Sequence, residues 1–316
     1  MSESATNLGP KPTKGEPVDP RIYEPLYGKQ GLLDGDIIAY RCAFVAEHTF
    51  YLVEYKKGLG YRTTDQFESS KEAHAWCNEH EPEHFRIWTR KEIQPVEFAC
   101  QAAKTTMEAL RDKTRAGRLS VYLSGKGNFR DEVAVTKPYK GNRDSVAKPV
   151  HWRAVRDYLL QNWGAKVVNG YEADDAIGIE ATRDREGTFI CTTDKDLDQI
   201  PGLHYNWVDE RVYTVSPKDG DFSLYRQILS GDTTDNVPGL GGIGPAKAAK
   251  LLDGSKSSNE LFGRAWEAYL KHAGFDSPVK CWNYFLEQAT LVFVSRKETK
   301  EHNPIRYSPP YIPEGV

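Results

Sequence analysis

The chain has 316 residues, of which 39% are hydrophobic, 28% are charged and 11% are aromatic, and its formal net charge is -3. With a mean hydropathy of -0.62, it is typical of a soluble globular protein. No stretch approaches the roughly 20 apolar residues of a membrane helix, so we expect no membrane partner. The five cysteines form no C-x-x-C pair, which argues against a disulfide framework or a structural zinc and favours a reducing cytoplasm. The start of the chain lacks the layout of a signal peptide.

Proline-rich segments stand at both ends of the chain. Residues 1–29 show no periodicity and predict a flexible tail, and 301–316, with four prolines, predict an extended C-terminal arm. Between them, short apolar runs alternate with helical patterns. The runs lie at 31–33, 119–123, 166–169, 189–193 and 203–208, and the helical patterns at 36–47, 97–116, 148–163 and 173–183. This alternation predicts an α/β fold with a mainly parallel sheet, helices on both faces, and a ligand crevice beyond the carboxyl ends of the strands.

Two segments interrupt the alternation. Residues 49–92 are interpreted as an inserted subdomain, with a β-ribbon at 50–55 and a helix at 70–80. After Tyr225 the pattern turns helical to about Val294, with a Gly-rich hairpin at 239–244. We therefore expect an α/β domain over 30–222, interrupted at about 49–92, and a helical region over 223–300.

Carboxylates follow three of the predicted strands and occupy one later turn. They are Asp34 after the first strand, Glu172, Asp174 and Asp175 after the third, Asp194 and Asp196 after the fourth, and Asp232 and Asp235 in the turn before the hairpin. Taken singly, each group can be a helix cap or a turn former. Taken together, they would converge at one edge of the sheet, where two like charges about 4 Å apart repel by about 4 kcal/mol at an effective dielectric of about 20. Oxygen ligands without His or Cys favour Mg²⁺ or Mn²⁺, and this many carboxylates can hold two ions about 3.5–4 Å apart for phosphodiester cleavage.

Basic residues are concentrated between Lys126 and Lys166, where nine Lys or Arg face four acids. The sharpest part is Arg130 followed by Tyr139, Lys140 and Arg143. Clustered cations with an interleaved aromatic suit phosphates and a stacked, unpaired base. The alternative is a solvated basic helix face, but a proline and a glycine in this stretch break a simple helix and favour a shaped loop.

The Gly-rich hairpin precedes a predicted helix at 245–252, which opens with a proline suited to the first helical position. Glycines let a backbone approach a partner closely, and free N–H groups at a helix start bind phosphate. The candidate DNA contacts here are Gly239, Gly241, Gly242, Gly244, Lys247 and Lys250. A helix–hairpin–helix of this kind holds a duplex backbone without reading bases. A nucleotide-binding loop is the alternative, but the hairpin lacks a preceding strand and a downstream Gly-Lys-Ser/Thr.

Five motifs occur in order along the chain: Leu-Leu-Asp-Gly-Asp, Tyr-Lys-Gly-Asn-Arg, Tyr-Glu-Ala-Asp-Asp-Ala-Ile-Gly, Thr-Asp-Lys-Asp-Leu, and Gly-Asp-Thr-Thr-Asp-Asn-Val-Pro-Gly-Leu-Gly-Gly-Ile-Gly-Pro. In combination they resemble the 5′→3′ exonuclease and flap endonuclease superfamily, in particular the stand-alone phage enzymes and the 5′-nuclease domain of bacterial DNA polymerase I. The match covers 31–43 and 119–255, about half of the chain.

The resemblance implies a PIN-like domain, a helix–three-turn–helix region, and a nuclease that uses two Mg²⁺ ions, for which Mn²⁺ can substitute. By residue correspondence, the first metal would lie among Asp34, Glu172, Asp174 and Asp175, and the second among Asp194, which bridges the two, Asp196, Asp232 and Asp235. Lys140 and Arg143 match basic residues that approach the scissile phosphate, and Tyr139 matches a stacking aromatic. The expected partner is DNA with duplex and 5′ single-stranded parts, and also RNA–DNA hybrid, because many members remove RNA primers.

One departure from the family pattern concerns an acid. The family usually places another aspartate after the strand that here ends at Leu123, where this chain has Ser124-Gly125. The leading hypothesis is a structure-specific 5′ nuclease, with Lys140, Arg143 and Asp194 as catalytic residues. The alternatives are a catalytically weak subunit that binds DNA junctions in a replication complex, and an RNA-directed nuclease. Phage-like size and the lack of a polymerase domain favour a phage origin, and hence the cytoplasm of a bacterial or infected cell.

Overall fold

A computed structural model describes residues 19–143 and 147–316 of the chain, so most of the tail predicted over 1–29 lies outside the described residues. The chain divides into two compact units. The first comprises the described residues of 1–37, 108–147 and 159–316, and the second comprises 38–107 and 148–158. In the described part of the chain, no helix combines the length and apolar character needed to cross a membrane.

The described residues form strands and helices in alternation. The strands are β1 (Gln30–Asp34), β2 (Glu47–Lys57), β3 (Gly60–Thr63), β4 (Phe85–Ile93), β5 (Arg118–Asn128), β6 (Lys166–Gly170), β7 (Thr188–Cys191), β8 (Gly202–Asn206) and β9 (Arg211–Val215). The helices are α1 (Gly35–Phe44), α2 (Ser70–His80), α3 (Val96–Thr114), α4 (Phe129–Val133), α5 (Trp152–Trp163), α6 (Ala173–Arg183), α7 (Pro217–Ser230), α8 (Pro245–Leu252), α9 (Ser258–His272) and α10 (Pro278–Val292). Short 3-10 turns lie at Pro20–Leu26, Gly141–Arg143 and Lys195–Gln199.

The first unit contains a six-stranded sheet with the order β6-β5-β1-β7-β8-β9. Its first five strands pair in parallel, and β9 alone is antiparallel to its neighbour. The predicted mainly parallel sheet is therefore confirmed. Because the strands that precede the candidate acids run in the same direction, their carboxyl ends lie at one edge of the sheet.

Most predicted elements are present, and the largest shifts are at the starts of two helices. The predicted boundaries of α2, α6 and α8 agree with the structure. Helix α5 begins at Trp152 rather than at Lys148, because the residue before a proline, here Pro149, is disfavoured in helical conformation. Helix α7 begins earlier than predicted, at Pro217, with the Ser216 hydroxyl accepting a hydrogen bond from a first-turn N–H.

The four C-terminal helices, α7 to α10, pack around buried aromatic side chains. The Phe262 ring meets the Phe285 and Trp282 rings edge-on, with centroids 5.7 and 6.2 Å apart. The segment 301–316 adds to this core, since the Tyr311 ring lies 4.7 Å from that of Phe262 and Tyr307 packs against the same cluster.

The second unit contains a three-stranded antiparallel sheet with the order β3-β2-β4. Helix α2 covers one face of it and buries Val53, Ala73 and Cys77. The segment predicted as an insertion, 49–92, lies within this unit, which extends beyond it on both sides. The predicted ribbon at 50–55 is part of β2, whereas β3 and β4 were not predicted.

Gly178 provides a test of the packing on α6. A Cβ atom at this position would lie 2.4 Å from the Ser295 carbonyl oxygen and 3.0 Å from the Ile200 side chain. We expect Gly178→Ala to lower the free energy of unfolding by about 1–3 kcal/mol, since overpacking forces neighbouring backbone apart. Gly60→Ala, where nothing lies within 4 Å, is the control. Urea denaturation of both variants would check this, and an equal midpoint for the two would contradict the close contact.

Candidate active site

Asp34 ends β1 and is the first acid of the site. Its side chain is buried, with the residue 8% exposed, and its Oδ1 accepts hydrogen bonds from the backbone N–H groups of Asp36 and Ile37 at 2.8 and 3.3 Å. It therefore caps α1. Burial raises the pKa of Asp34 to about 7, and the negative charges of Asp36 and Asp194 add to this increase.

Asp174, in the first turn of α6, shares this environment with Asp34 and Asp194. Its Oδ1 is buried and has no hydrogen-bond partner among the described residues. Burial raises the pKa of Asp174 well above its ordinary value, with further increases from the charges of Asp34, Asp194 and Glu172, whereas the opposing effect of Lys140 is smaller. Asp34, Asp174 and Asp194 thus form an acidic group, which we call the acidic triad, whose repulsion is poorly compensated by the protein itself.

Lys195 bridges a second pair of acids. Its Nζ donates to Asp196 Oδ1 at 2.8 Å and to Asp232 Oδ2 at 3.0 Å, and the Gln227 amide donates to the same two oxygens at 3.0 and 3.1 Å. Burial raises the pKa of Asp196 to about 6, with a further increase from Asp194. For Asp232, burial acts in the same direction, but the hydrogen bond and charge of Lys195, together with the backbone N–H groups of Thr234 and Asp235, outweigh it and the pKa is lowered.

A third pair of acids, Glu172 and Asp235, is neutralised by the loop that carries Lys140 and Arg143. Lys140 Nζ donates to Glu172 Oε1 and lies 3.5 Å from Asp235 Oδ2, and Arg143 donates to Asp235 Oδ1 at 2.5 Å. Burial alone would raise the pKa of Glu172, but Arg130 and Lys140 together lower it. Lys140 also has a φ of 54°, a strained conformation for a residue with a side chain, of a kind that concentrates at functional sites.

Asp175 is removed from the set of candidate metal ligands. It is fully buried, and both of its oxygens are occupied: Arg130 donates to Oδ2 at 2.7 Å and to Oδ1 at 3.0 Å, and the Ser295 N–H donates to Oδ1 at 2.9 Å. The prediction that Asp175 faces the first metal is wrong in this structure, because a buried guanidinium already neutralises it.

Arg130 is likewise not a surface contact for DNA. Only 2% of the residue is exposed. Besides binding Asp175, its guanidinium donates to the carbonyl oxygens of Leu291 and Phe293 at 3.0 and 2.6 Å and lies 3.5 Å from Glu172. The predicted phosphate contact is therefore wrong, since the donors of Arg130 are already used inside the protein.

Tyr139 is also placed differently from its prediction. The residue is 9% exposed, and its hydroxyl lies 2.8 Å from Asp235 Oδ2 and 3.0 Å from Glu172 Oε2. A ring packed in this way presents no face on which a base could stack. The predicted stacking role is therefore contradicted in this structure, and Tyr139 instead orients two acids.

Ser124 and Gly125 occupy the place of the missing family aspartate. The Ser124 N–H donates to Asp36 Oδ2 at 2.7 Å, and its hydroxyl accepts from the Ala173 N–H at 3.0 Å. A Cβ atom at Gly125 would lie 2.3 Å from Asn169 Oδ1 and 2.6 Å from the Val168 carbonyl oxygen. Ser124 thus joins the first turn of α1 to the start of α6, and no side chain fits at Gly125 without a backbone shift.

One part of the Gly-rich hairpin is buried and the other part is exposed. Gly239 is buried; its N–H donates to Gln288 at 3.0 Å and its carbonyl accepts from Tyr284 at 2.6 Å. A Cβ atom at Gly239 would lie 2.2 Å from the Gly231 nitrogen. Its predicted DNA contact is therefore wrong, because the backbone is used to close the loop. The remaining candidates are exposed, namely Gly241, Gly242, Gly244, Lys247 and Lys250.

Five of the candidate acids line one cleft of the first unit. Its lining includes Glu172, Asp174, Asp196, Asp232 and Asp235. Among the described residues, no group of three or more His, Cys, Asp or Glu stands close enough together to hold a metal ion as arranged, since several of these oxygens are turned toward Lys or Arg. The assignment of metal ligands therefore stays a prediction.

Three contributors were missed from the sequence. Asp36 lies two residues after Asp34 in the same motif, and Lys195 lies between two predicted acids, so both could have been found from their neighbours. Gln227, on α7, carries no such signal because its role depends on the packing of α7 beside the turn Lys195–Gln199.

Comparison with known proteins supports the predicted resemblance. Residues 82–219 match the family model described as 5′-3′ exonuclease, N-terminal resolvase-like domain. The thermostable DNA polymerase I of Thermus aquaticus is 29% identical over 175 residues, 51% of this chain and 21% of the polymerase. The flap endonuclease Xni of Shewanella is 30% identical over 150 residues, 42% of this chain and 57% of the relative. The chain thus aligns with about a fifth of the polymerase and just over half of the flap endonuclease.

Solved structures give weaker matches. The T5 D15 protein co-crystallised with metal ions has a TM-score of 0.46 and 18% identity, covering 61% of this chain and 82% of its own. The catalytic core of Rad2 in complex with a DNA substrate has a TM-score of 0.45 and 13% identity. The match covers 93% of this chain and 86% of the Rad2 chain. The family match over 82–219 and the sequence relatives bear out the predicted resemblance: this chain is similar to proteins of the 5′→3′ exonuclease and flap endonuclease superfamily.

Proposed function

We propose that this chain is a divalent-metal-dependent, structure-specific 5′ nuclease that hydrolyses DNA at junctions of duplex and 5′ single strand. The observation that carries this proposal is the acidic triad at the edge of the sheet, in which Asp174 Oδ1 is buried without a partner among the described residues. A buried carboxylate oxygen close to other carboxylates is destabilised in its charged form, and a bound cation would stabilise it.

The donor set fits a hard divalent ion. The acidic triad offers carboxylate oxygens only, which favours Mg²⁺ or Mn²⁺. Asp196 and Asp232 are candidates for a second ion, which would replace the ammonium group of Lys195 between them. When bound, such ions neutralise phosphate charge and activate water for phosphodiester cleavage.

Lys140 and Arg143 are proposed to hold the scissile phosphate. Their side chains are 27% and 48% exposed while paired with Glu172 and Asp235, so a phosphate group can reach them by exchanging with these carboxylates. The exposed part of the hairpin and the start of α8 are proposed to hold the duplex backbone. Removal of RNA primers is a proposed extension of the same activity.

A pH-dependent stability difference tests the repulsion at Asp34. Because the pKa of Asp34 is raised to about 7, the native state loses stability as pH rises from the unfolded pKa near 3.9 through about 7. Asn retains the capping oxygen without the charge. In EDTA, Asp34→Asn is therefore expected to be more stable than wild type, by an amount that grows between about pH 5 and pH 8. Chemical denaturation at both pH values measures this, and a pH-independent difference would contradict the assignment.

Asp174→Asn tests the proposed activity. We expect at least a hundredfold loss of cleavage of a 5′-labelled DNA flap in Mg²⁺, with binding to the flap in EDTA retained, because the variant loses a carboxylate ligand and keeps the shape of the side chain. Asp112→Asn, a change of an exposed acid on α3, is the matched control. The thermal shift produced by Mg²⁺ should also shrink in Asp174→Asn only.

Two outcomes would count against the nuclease. Undiminished turnover by Asp174→Asn would refute the assignment of the acids. Wild-type protein that binds the flap but does not cut it in Mg²⁺ or Mn²⁺ would instead support the alternative, a DNA-junction binding protein.

Lys247→Ala tests the duplex contact. If Lys247 lies on a phosphate, its removal should weaken binding to duplexes of any sequence alike and lower the salt slope by about 0.9. Lys271→Ala, which removes an exposed charge at the end of α9, should leave the slope unchanged. Binding measured by fluorescence anisotropy across a salt series decides the matter, and equal slopes for both variants would remove Lys247 from the interface.

A further inference from the structure

The sheet of the second unit has two different faces. Side chains alternate along a strand, and Tyr51, Val53 and Tyr55 of β2 point to the face covered by α2. The opposite face, here called the outer face, is therefore formed by the intervening residues and their cross-strand partners. It consists of Phe50, Leu52, Glu54 and Lys56 on β2, Tyr61 and Thr63 on β3, and Arg86, Trp88, Arg90 and Glu92 on β4, continued by His48.

Two aromatic rings are exposed on the outer face. Trp88, opposite Leu52 in the register, is 39% exposed, and Tyr61 is 64% exposed. Between the charged ends of this face, the Arg90 guanidinium lies over the Phe50 ring at 5.9 Å. The face therefore combines exposed aromatic surface with arginine groups held by cross-strand packing.

Charge is segregated between the two sides of this subdomain. The stretch 65–83, which includes α2, contains six acids and a single lysine. The strands carry the cations, with Arg86, Arg90 and Lys56 on the outer face. The two acids of the outer face, Glu54 and Glu92, are neutralised by ion pairs: Arg86 pairs with Glu54 at 2.8 Å and Arg90 pairs with Glu92 at 2.5 Å.

The end of the β2–β3 hairpin carries cations without acids. Lys56, Lys57 and Arg62 are exposed, and within residues 19–143 and 147–316 none of them has a carboxylate partner. Gly58, with a φ of 65°, provides the tight two-residue turn that sets Lys56 opposite Tyr61. A polyanion would therefore find complementary charge on the sheet side of the subdomain and repulsion on the helix side.

We propose that the outer face binds single-stranded DNA, with bases stacked on Trp88 and Tyr61 and phosphates held by Lys56, Arg86 and Arg90. An unpaired strand is favoured over a duplex because flat, exposed rings can stack only on bases that are not covered by their neighbours. Strand geometry places the two rings on the order of 15 Å apart, a span that several nucleotides of one strand cover. This binding site is additional to the proposed nuclease site and does not depend on cleavage.

The test is binding of a labelled short oligothymidine to the full chain in EDTA, followed by fluorescence anisotropy. Trp88→Ala should weaken binding by about fivefold or more, the lower end of what one base–aromatic stack contributes, and Trp88→Phe should restore most of it. Phe275→Ala, a change of an aromatic residue of similar exposure in the first unit, is the matched control and should bind as wild type does.

A charge pair gives a second, independent measurement. Lys56→Ala should lower the salt slope for oligothymidine by about 0.7, and Lys71→Ala on α2 should not. If circular dichroism shows that Trp88→Ala disturbs the fold, the test rests on Tyr61→Ala, in the β2–β3 hairpin, and on the comparison of Lys56→Ala with Lys71→Ala. Unchanged binding in Tyr61→Ala, with equal salt slopes for the two lysine variants, would overturn the inference.

Flap cleavage by the same preparations separates the two proposals. If wild type cuts the flap in a metal-dependent way and none of these variants changes oligothymidine binding, the proposed binding site on the outer face is wrong and the proposed nuclease activity stands. If oligothymidine binding depends on Trp88 but the protein cuts no substrate, the binding site on the outer face stands and the proposed nuclease activity is wrong.

Discussion

The buried ion pair between Arg130 and Asp175 is the interaction on which the rest of the site depends. It joins the start of α4, the first turn of α6 and the end of α10, because the same guanidinium also binds the Leu291 and Phe293 carbonyl groups. Breaking such a pair from one side typically costs about 3–5 kcal/mol, since the remaining charge stays buried. Fixing the first turn of α6 in this way also fixes Glu172 and Asp174, so the internal pair sets where these two acids of the site lie.

The remaining acids are divided by their counter-charges. At Glu172 and Asp232, the pKa is lowered despite burial by Arg130 and Lys140 in the first case and by Lys195 in the second. At Asp196 and Asp235, burial still raises the pKa although Lys195, Lys140 or Arg143 lies close. Where no lysine or arginine comes close, as at Asp34 and Asp174, burial and mutual repulsion raise the pKa. The protein thus supplies cations to part of the cluster and leaves the acidic triad in need of one from outside. This uneven division, rather than the number of acids, distinguishes the edge of the sheet from an ordinary polar surface.

Much of the first unit could be predicted from the sequence, because its strands are continuous apolar runs and α6 and α8 begin at clear signals. Strand β4 was missed, since Arg86, Arg90 and Lys91 on a sheet with one exposed face hide the apolar alternation that reveals a strand. Arg130 and Tyr139 were misassigned for a related reason. A charged residue or a tyrosine in a basic stretch suggests a surface, and burial of Arg130 requires Asp175, 45 residues away in the chain, which no local pattern reveals.

The contact between Gly231 and Gly239 has a thermodynamic consequence. Each glycine leaves room for the backbone of the other, and the loop between them, residues 231–239, is further closed by paired hydrogen bonds between Asp232 and Val237, both 2.8 Å. The conformational entropy of this loop is therefore lost when the chain folds and not when a ligand arrives. A partner that docks on the neighbouring Gly-rich hairpin meets a loop beside it that is already ordered, so less of the interaction energy is consumed in arranging that loop and more of it appears as affinity.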